Sequence, residues 1–68
     1  MTDTIRINGA PERLVARSVA ELVAERSEGE GRGVAVALNG AVVRRADWSA
    51  TPLKGGDVVE IVRAMQGG

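Results

Sequence analysis

Two Asn-Gly pairs, at residues 8–9 and 39–40, limit what this 68-residue chain can fold into more than any other feature. Each pair closes a run in which the larger apolar residues take every second position, "TIRING" and "VAVALNG". A period of two predicts a strand with one buried face, and Asn-Gly accepts the positive φ angles of a two-residue hairpin turn. The sequence therefore predicts two hairpins, in which "ERLVA" and "AVVRR" form the returning strands.

A single helix is predicted between the two hairpins, in the segment "SVAELVAERS". Ser18 and Glu21 have the spacing of a capping box, in which each side chain accepts a hydrogen bond from an otherwise unpaired backbone N–H. Val19, Leu22 and Val23 then form one apolar stripe that can pack on a sheet. The glycine-rich, charged segment "SEGEGRG" that follows is typical of a loop.

The last third of the chain predicts one more strand. "ADWSATPL" lacks either period and contains Pro52, so we expect no regular structure there, with Trp48 and Leu53 closing one end of the core. "KGGD" predicts a turn, and "VVEIVRA" predicts a strand on which Val59 and Ile61 face the helix.

This order of segments predicts an α+β fold of the β-grasp type, with a mixed sheet of about four to five strands covered by one main helix. In that fold the first and last strands pair in parallel at the centre of the sheet. A plain antiparallel meander with a peripheral helix remains the alternative. We expect one β-grasp domain over residues 1–64 and a flexible C-terminal tail over residues 65–68 that ends in Gly-Gly.

The composition argues against several classes of function. Nine basic residues balance nine acidic ones, which gives no indication of a nucleic acid or membrane partner. The chain has no cysteine and no histidine, the side chains most suited to nucleophilic attack, proton transfer and metal binding near neutral pH. The N-terminus also lacks the pattern of a secretory signal. We therefore expect a cytoplasmic protein without catalytic residues or a metal site, which is not an enzyme.

The C-terminal carboxylate of Gly68 is the one chemically distinctive group that remains. Once activated by a nucleotide it becomes a mixed anhydride, open to attack at its carbonyl carbon. Because Gly67 and Gly68 carry no side chains, the terminus could thread into a narrow slot of another enzyme. The alternative is a frayed terminus with no function.

About half of the chain, from "VAVALNG" to the terminus, resembles the ThiS family, the ubiquitin-like sulfur carriers of thiamine biosynthesis. The resemblance rests on the turn Asn39-Gly40, the run Val42 to Arg44, Trp48, the turn Gly56-Asp57, and Gln66-Gly67-Gly68. Members often have Pro-Arg where this chain has Arg44-Arg45. The small subunit of molybdopterin synthase, a ubiquitin-like protein modifier and a binding module remain alternatives.

The resemblance implies a chemistry for the terminus. An E1-like adenylating enzyme, similar to ThiF, would use ATP to adenylate Gly68, so that the chain carries covalent AMP and binds no cofactor of its own. Sulfur from a persulfide donor would then replace the AMP, and the thiocarboxylate would pass its sulfur to thiazole synthase, similar to ThiG. Gly67, Gln66 and Met65 would be the residues that thread into these enzymes.

Partner docking can be predicted from strand alternation. If Val59 faces the helix, Val58 and Val62 face the opposite side of the sheet, together with Ala35 and Ala37 on the neighbouring strand. We expect these four residues to form a shallow apolar patch, a candidate surface for docking partner proteins. The alternative, which is favoured for Val58, is that a sheet covered on one face always leaves some aliphatic side chains exposed.

Overall fold

A five-stranded mixed sheet with one α-helix makes up the described part of the chain, which in this computed structural model is residues 3–26 and 33–63. The elements in chain order are β1 (Thr4–Ile7), β2 (Ala10–Arg13), α1 (Val19–Arg26), β3 (Val34–Leu38), β4 (Ala41–Val43), a 3₁₀ helix (Arg45–Ala50) and β5 (Val58–Arg63). The strands lie in the order β2-β1-β5-β3-β4. In residues 3–26 and 33–63, no helix is long and apolar enough to cross a membrane.

The last strand, β5, lies at the centre of the sheet. It pairs in parallel with β1, where Ile7 lies beside Val59, and antiparallel with β3, where Val36 lies beside Ile61. A plain meander would have no parallel pair, so this alternative is wrong. The predicted β-grasp arrangement is confirmed.

Both Asn-Gly pairs form the predicted hairpin turns. Asn8 and Asn39 each have a φ of 52°, and the glycines that follow them have φ angles of 85° and 87°. Positive φ at both central positions gives a turn whose twist matches that of the flanking strands. Each two-residue turn fixes the register of its hairpin. As a result, Ile7 pairs with Ala10 in the first hairpin and Leu38 pairs with Ala41 in the second.

Two local predictions are wrong. The returning strand of the first hairpin is Ala10–Arg13 rather than "ERLVA", because a two-residue turn starts pairing directly after Gly9. This strand contains Pro11, which is tolerated because β2 lies at the edge of the sheet. Most of the segment predicted to be irregular belongs to the 3₁₀ helix Arg45–Ala50, which begins at the last residue of the predicted strand "AVVRR" and ends before Pro52.

The helix begins as predicted. The hydroxyl oxygen of Ser18 accepts a hydrogen bond from the backbone N–H of Glu21 at 3.2 Å. The Glu21 carboxylate accepts one from the backbone N–H of Arg17 at 2.9 Å, one residue earlier than in the usual capping box. Val19, Leu22 and Val23 are buried, so the predicted apolar stripe is confirmed.

The core lies between α1 and the inner face of the sheet, and one aromatic side chain closes its end. Trp48 is only 6% exposed, and its indole N–H donates to the carbonyl oxygen of Val43 at 2.9 Å. A buried indole needs such an acceptor, since an unpaired N–H in the core destabilises the fold. Leu53 is buried in the same cluster. The prediction that these two residues close the core is confirmed.

Candidate functional site

The sheet face turned away from α1 carries the four residues predicted to dock partners. Val58 and Val62 are 41% and 60% exposed, whereas Val59 between them is completely buried. On β3, Ala35 is exposed and Ala37 is half-buried. Alternation along both strands therefore places all four side chains on the open face, as the sequence predicts.

The strand register brings three of these four residues together. Ala35 lies opposite Val62, and Ala37 lies opposite Glu60, which occupies the same face of β5. Val58 lies beyond Glu60, across from Arg6 of β1. The apolar surface is therefore interrupted by one carboxylate, with Val58 on its far side.

Val42 extends this surface, although it was not among the residues predicted to dock partners. It is 77% exposed and lies on β4 opposite Ala37. The position of Val42 could have been predicted from the turn at Asn39-Gly40. A two-residue turn pairs Leu38 with Ala41 and therefore pairs Ala37 with Val42. We call the set the open-face patch; its residues are Ala35, Ala37, Val42, Val58 and Val62.

The predicted reactive terminus follows directly after the central strand. β5 ends at Arg63, five residues before Gly68. Met65, Gln66, Gly67 and Gly68, the residues predicted for threading and sulfur attachment, lie outside the described residues. The structure therefore describes β5 up to Arg63 and the residues that surround the end of this strand.

A shallow cleft of about 260 Å³ lies beside the end of β5 on the helix side; its lining residues are Asn8, Arg26, Val34, Ile61 and Arg63. Of these, Arg26 forms an ion pair with Glu12 of β2. None of the lining side chains can act as a nucleophile or as a general base near neutral pH. Within residues 3–26 and 33–63, no group of three acidic side chains lies close enough together to hold a metal ion.

Two asparagine side chains, one from each hairpin turn, hold the backbone of β5. Asn8 accepts a hydrogen bond from the Ile61 N–H at 2.8 Å and donates to the Ile61 carbonyl oxygen at 3.2 Å. Asn39 accepts from the Val58 N–H at 2.9 Å, near the start of the strand. The sequence predicts a turn at each of these residues but not these bonds, because partners 53 and 19 positions away leave no local pattern.

Asp57 is the one buried acidic side chain in the described residues, and its role is structural. Burial alone would raise its pKa. The backbone N–H of Lys54, the amide of Asn39 and the ammonium group of Lys54 donate hydrogen bonds to it, and together they lower the pKa below the ordinary value of 3.8. Both carboxylate oxygens are occupied in closing the turn that precedes β5, so this group is not free to take up a proton from a substrate.

The substitution Asp57→Asn is expected to lower the free energy of unfolding at pH 7 by about 1–3 kcal/mol, because an amide NH₂ would face the donors that now bind a carboxylate oxygen. A carboxyl whose pKa is lowered in the folded state stabilises the fold above its unfolded pKa and loses this contribution as the pH falls through its folded pKa. The difference between wild type and variant should therefore shrink below pH 3.8.

Urea unfolding followed by circular dichroism at several pH values measures this difference. Asp47→Asn, the same change at an exposed position, is the control and should retain wild-type stability. A difference for Asp57→Asn that stays constant down to the lowest pH at which the protein folds would contradict the assignment.

Fold and surface together define a class of protein. This is a ubiquitin-like β-grasp domain whose central strand leads into a Gly-Gly terminus, with an exposed apolar face and no catalytic constellation in residues 3–26 and 33–63. The family model for the ThiS family matches residues 5–68. The chain belongs to the ThiS family.

Relatives in sequence and structure agree with this assignment. The sulfur carrier protein ThiS of Thermus thermophilus is 40% identical over 62 residues, which cover 91% of this chain and 95% of the relative. The crystal structure of the thiamine biosynthesis protein ThiS from Geobacter metallireducens has a TM-score of 0.77 and 37% identity, covering 96% of this chain and 99% of that one. A solution NMR structure of a thiamine biosynthesis protein from the same organism also has a TM-score of 0.77, with 34% identity over 96% of this chain and 87% of that one.

Proposed function

We propose that the carboxylate of Gly68 is the group that carries sulfur. As a member of the ThiS family, the protein is a sulfur carrier of thiamine biosynthesis and not a catalyst. The observation that carries the proposal is that the family match extends through residue 68 and so includes the Gly-Gly terminus. The match also favours this function over the molybdopterin synthase and protein-modifier alternatives.

The proposed loading reaction has three chemical steps. A carboxylate oxygen of Gly68 attacks the α-phosphorus of ATP, and pyrophosphate leaves. The terminal sulfur of a persulfide then attacks the carbonyl carbon, and AMP leaves. Because this sulfur is still joined to its donor by an S–S bond, a thiol must reduce that bond to release the thiocarboxylate. ATP is a substrate of the activating enzyme, and AMP is held only as the covalent adenylate.

The proposed partners are an E1-like adenylating enzyme, a persulfide donor and thiazole synthase. The open-face patch supports docking to such enzymes, because it presents exposed apolar side chains on the strand that leads to the terminus. Met65, Gln66 and Gly67 are proposed to thread into the partner active sites. The cytoplasmic location stays a prediction.

Intact-mass spectrometry tests the proposal. Incubation with ATP, the activating enzyme and a persulfide donor is expected to increase the mass of the protein by the difference between one sulfur and one oxygen atom. Omission of ATP is the control, since without adenylation the carboxylate has no leaving group. An unchanged mass in the complete reaction would refute the carrier chemistry.

A further inference from the structure

The two flanks of β5 are held differently near its end. On the β3 side, backbone pairing continues to the last residue of the strand, where Arg63 lies opposite Val34. On the β1 side, strand pairing stops at Val59, because β1 ends at Ile7 and the chain turns away into the first hairpin. Within residues 3–26 and 33–63, the last four residues of β5 thus have no neighbouring strand on this side.

The side chain of Asn8 fills the next position of the interrupted ladder. Its backbone N–H donates to the Val59 carbonyl oxygen at 2.9 Å, which is the last backbone bond between β1 and β5. Its side-chain amide then bonds both the N–H and the carbonyl oxygen of Ile61, the two backbone groups that a longer β1 would pair. The positive φ of Asn8 turns the main chain away and leaves the side chain beside β5.

We propose that Asn8 is a positioning residue for sulfur loading. Asn8 holds Ile61 on the side of β5 where β1 has already ended. In this way it would fix the direction in which the chain continues from Arg63 towards Gly68. This inference rests on the proposed function, because it assigns Asn8 a role in presenting the terminus to the activating enzyme. In this role Asn8 acts through the backbone of Ile61.

Preorganisation determines the kind of kinetic effect to expect. If the end of β5 is already ordered, binding to the activating enzyme does not have to order it, and the apparent affinity is higher. Loss of two solvent-exposed hydrogen bonds to one residue corresponds to about a five- to tenfold change in an equilibrium constant. The effect should appear in the KM for the carrier, since the chemistry at the carbonyl carbon is unaltered once the terminus is bound.

Asn39 provides a matched control within the same chain. It has the same φ of 52°, is also followed by glycine, and its side chain also makes two hydrogen bonds, to the Val58 N–H and to Asp57. However, it holds the start of β5, at the end of the strand farthest from the terminus. Asn8→Gly and Asn39→Gly therefore remove similar contacts and accommodate the same backbone angle.

The experiment measures the steady-state kinetics of adenylation for both variants, at a temperature where thermal unfolding shows each to be folded. Asn8→Gly is expected to raise the KM for the carrier about five- to tenfold without changing kcat, whereas Asn39→Gly should stay within about twofold of wild type. Asn8→Asp keeps the acceptor for the Ile61 N–H but loses the donor, so it should fall between wild type and Asn8→Gly.

Amide hydrogen exchange verifies the physical cause. In Asn8→Gly the Ile61 N–H should exchange faster than in wild type while the Val58 N–H is unchanged, and Asn39→Gly should show the reverse. Equal KM values for the two glycine variants would overturn the positioning role alone, provided that wild type is adenylated. A wild-type protein that is not adenylated at all would overturn both this inference and the proposed function.

Discussion

Removal of Gly68 is expected to abolish thiocarboxylate formation completely while leaving the circular dichroism spectrum unchanged. The terminal residue would then be Gly67, and the carboxylate would lie about 3.5 Å short of its position in the wild-type chain. Catalysis depends on placing reacting atoms to within less than about 1 Å, so such a displacement removes the reaction rather than slowing it slightly. The measurement is intact mass after incubation with ATP, the activating enzyme and a persulfide donor.

Addition of one glycine after Gly68 should have the same effect, since it moves the carboxylate by one residue in the opposite direction. The control is a variant of identical mass in which the extra glycine is inserted after Gly31, in the glycine-rich segment between α1 and β3. This variant should form the thiocarboxylate normally. Transfer that persists in the deletion or in the C-terminal extension would show that the carboxylate of Gly68 is not the attachment site.

Features encoded by neighbouring residues were predictable from the sequence. Alternation predicted every strand except β2, the Asn-Gly pairs predicted the turns, and Ser18 with Glu21 predicted the helix start. Each of these signals acts within a few residues, where backbone conformation and side-chain periodicity decide the outcome. The central position of β5 was predicted as part of the β-grasp hypothesis, whereas periodicity alone also allowed an antiparallel meander, since both arrangements can bury the apolar stripe of one helix.

Features that depend on distant partners were not predictable in this way. The bonds from Asn8 to Ile61 join residues 53 positions apart, and they exist only once β1 and β5 lie side by side. The 3₁₀ helix Arg45–Ala50 has no apolar period of its own, and burial of Trp48 in the core accounts for its presence. Val42 belongs to the open-face patch because the register of β3 and β4 places it opposite Ala37. The turn at Asn39-Gly40 implies this register, but periodicity along a single strand does not.

The surface substitution with the largest expected effect on partner binding is Val62→Glu. Val62 is 60% exposed and lies opposite Ala35, so a glutamate there should change the free energy of unfolding by less than about 0.5 kcal/mol. In a complex, however, it would place a second carboxylate beside Glu60 within an apolar contact. Burial of an unpaired charge at an interface costs about 2–3 kcal/mol, which corresponds to about a 30- to 150-fold loss of affinity for the activating enzyme.

Calorimetric titration of the activating enzyme with the carrier measures this loss, and Val15→Glu is its matched control. Val15 is 71% exposed and follows β2, near the start of β1 and therefore at the opposite end of the sheet from Arg63. The same change of side chain should leave affinity there within about twofold of wild type. Because both variants add one negative charge to a chain of net charge zero, long-range electrostatics affects them alike, and any difference reports contact at the patch. Equal affinities for the two variants would contradict docking at the open-face patch. They would mean that the enzyme binds the terminus without covering the open face.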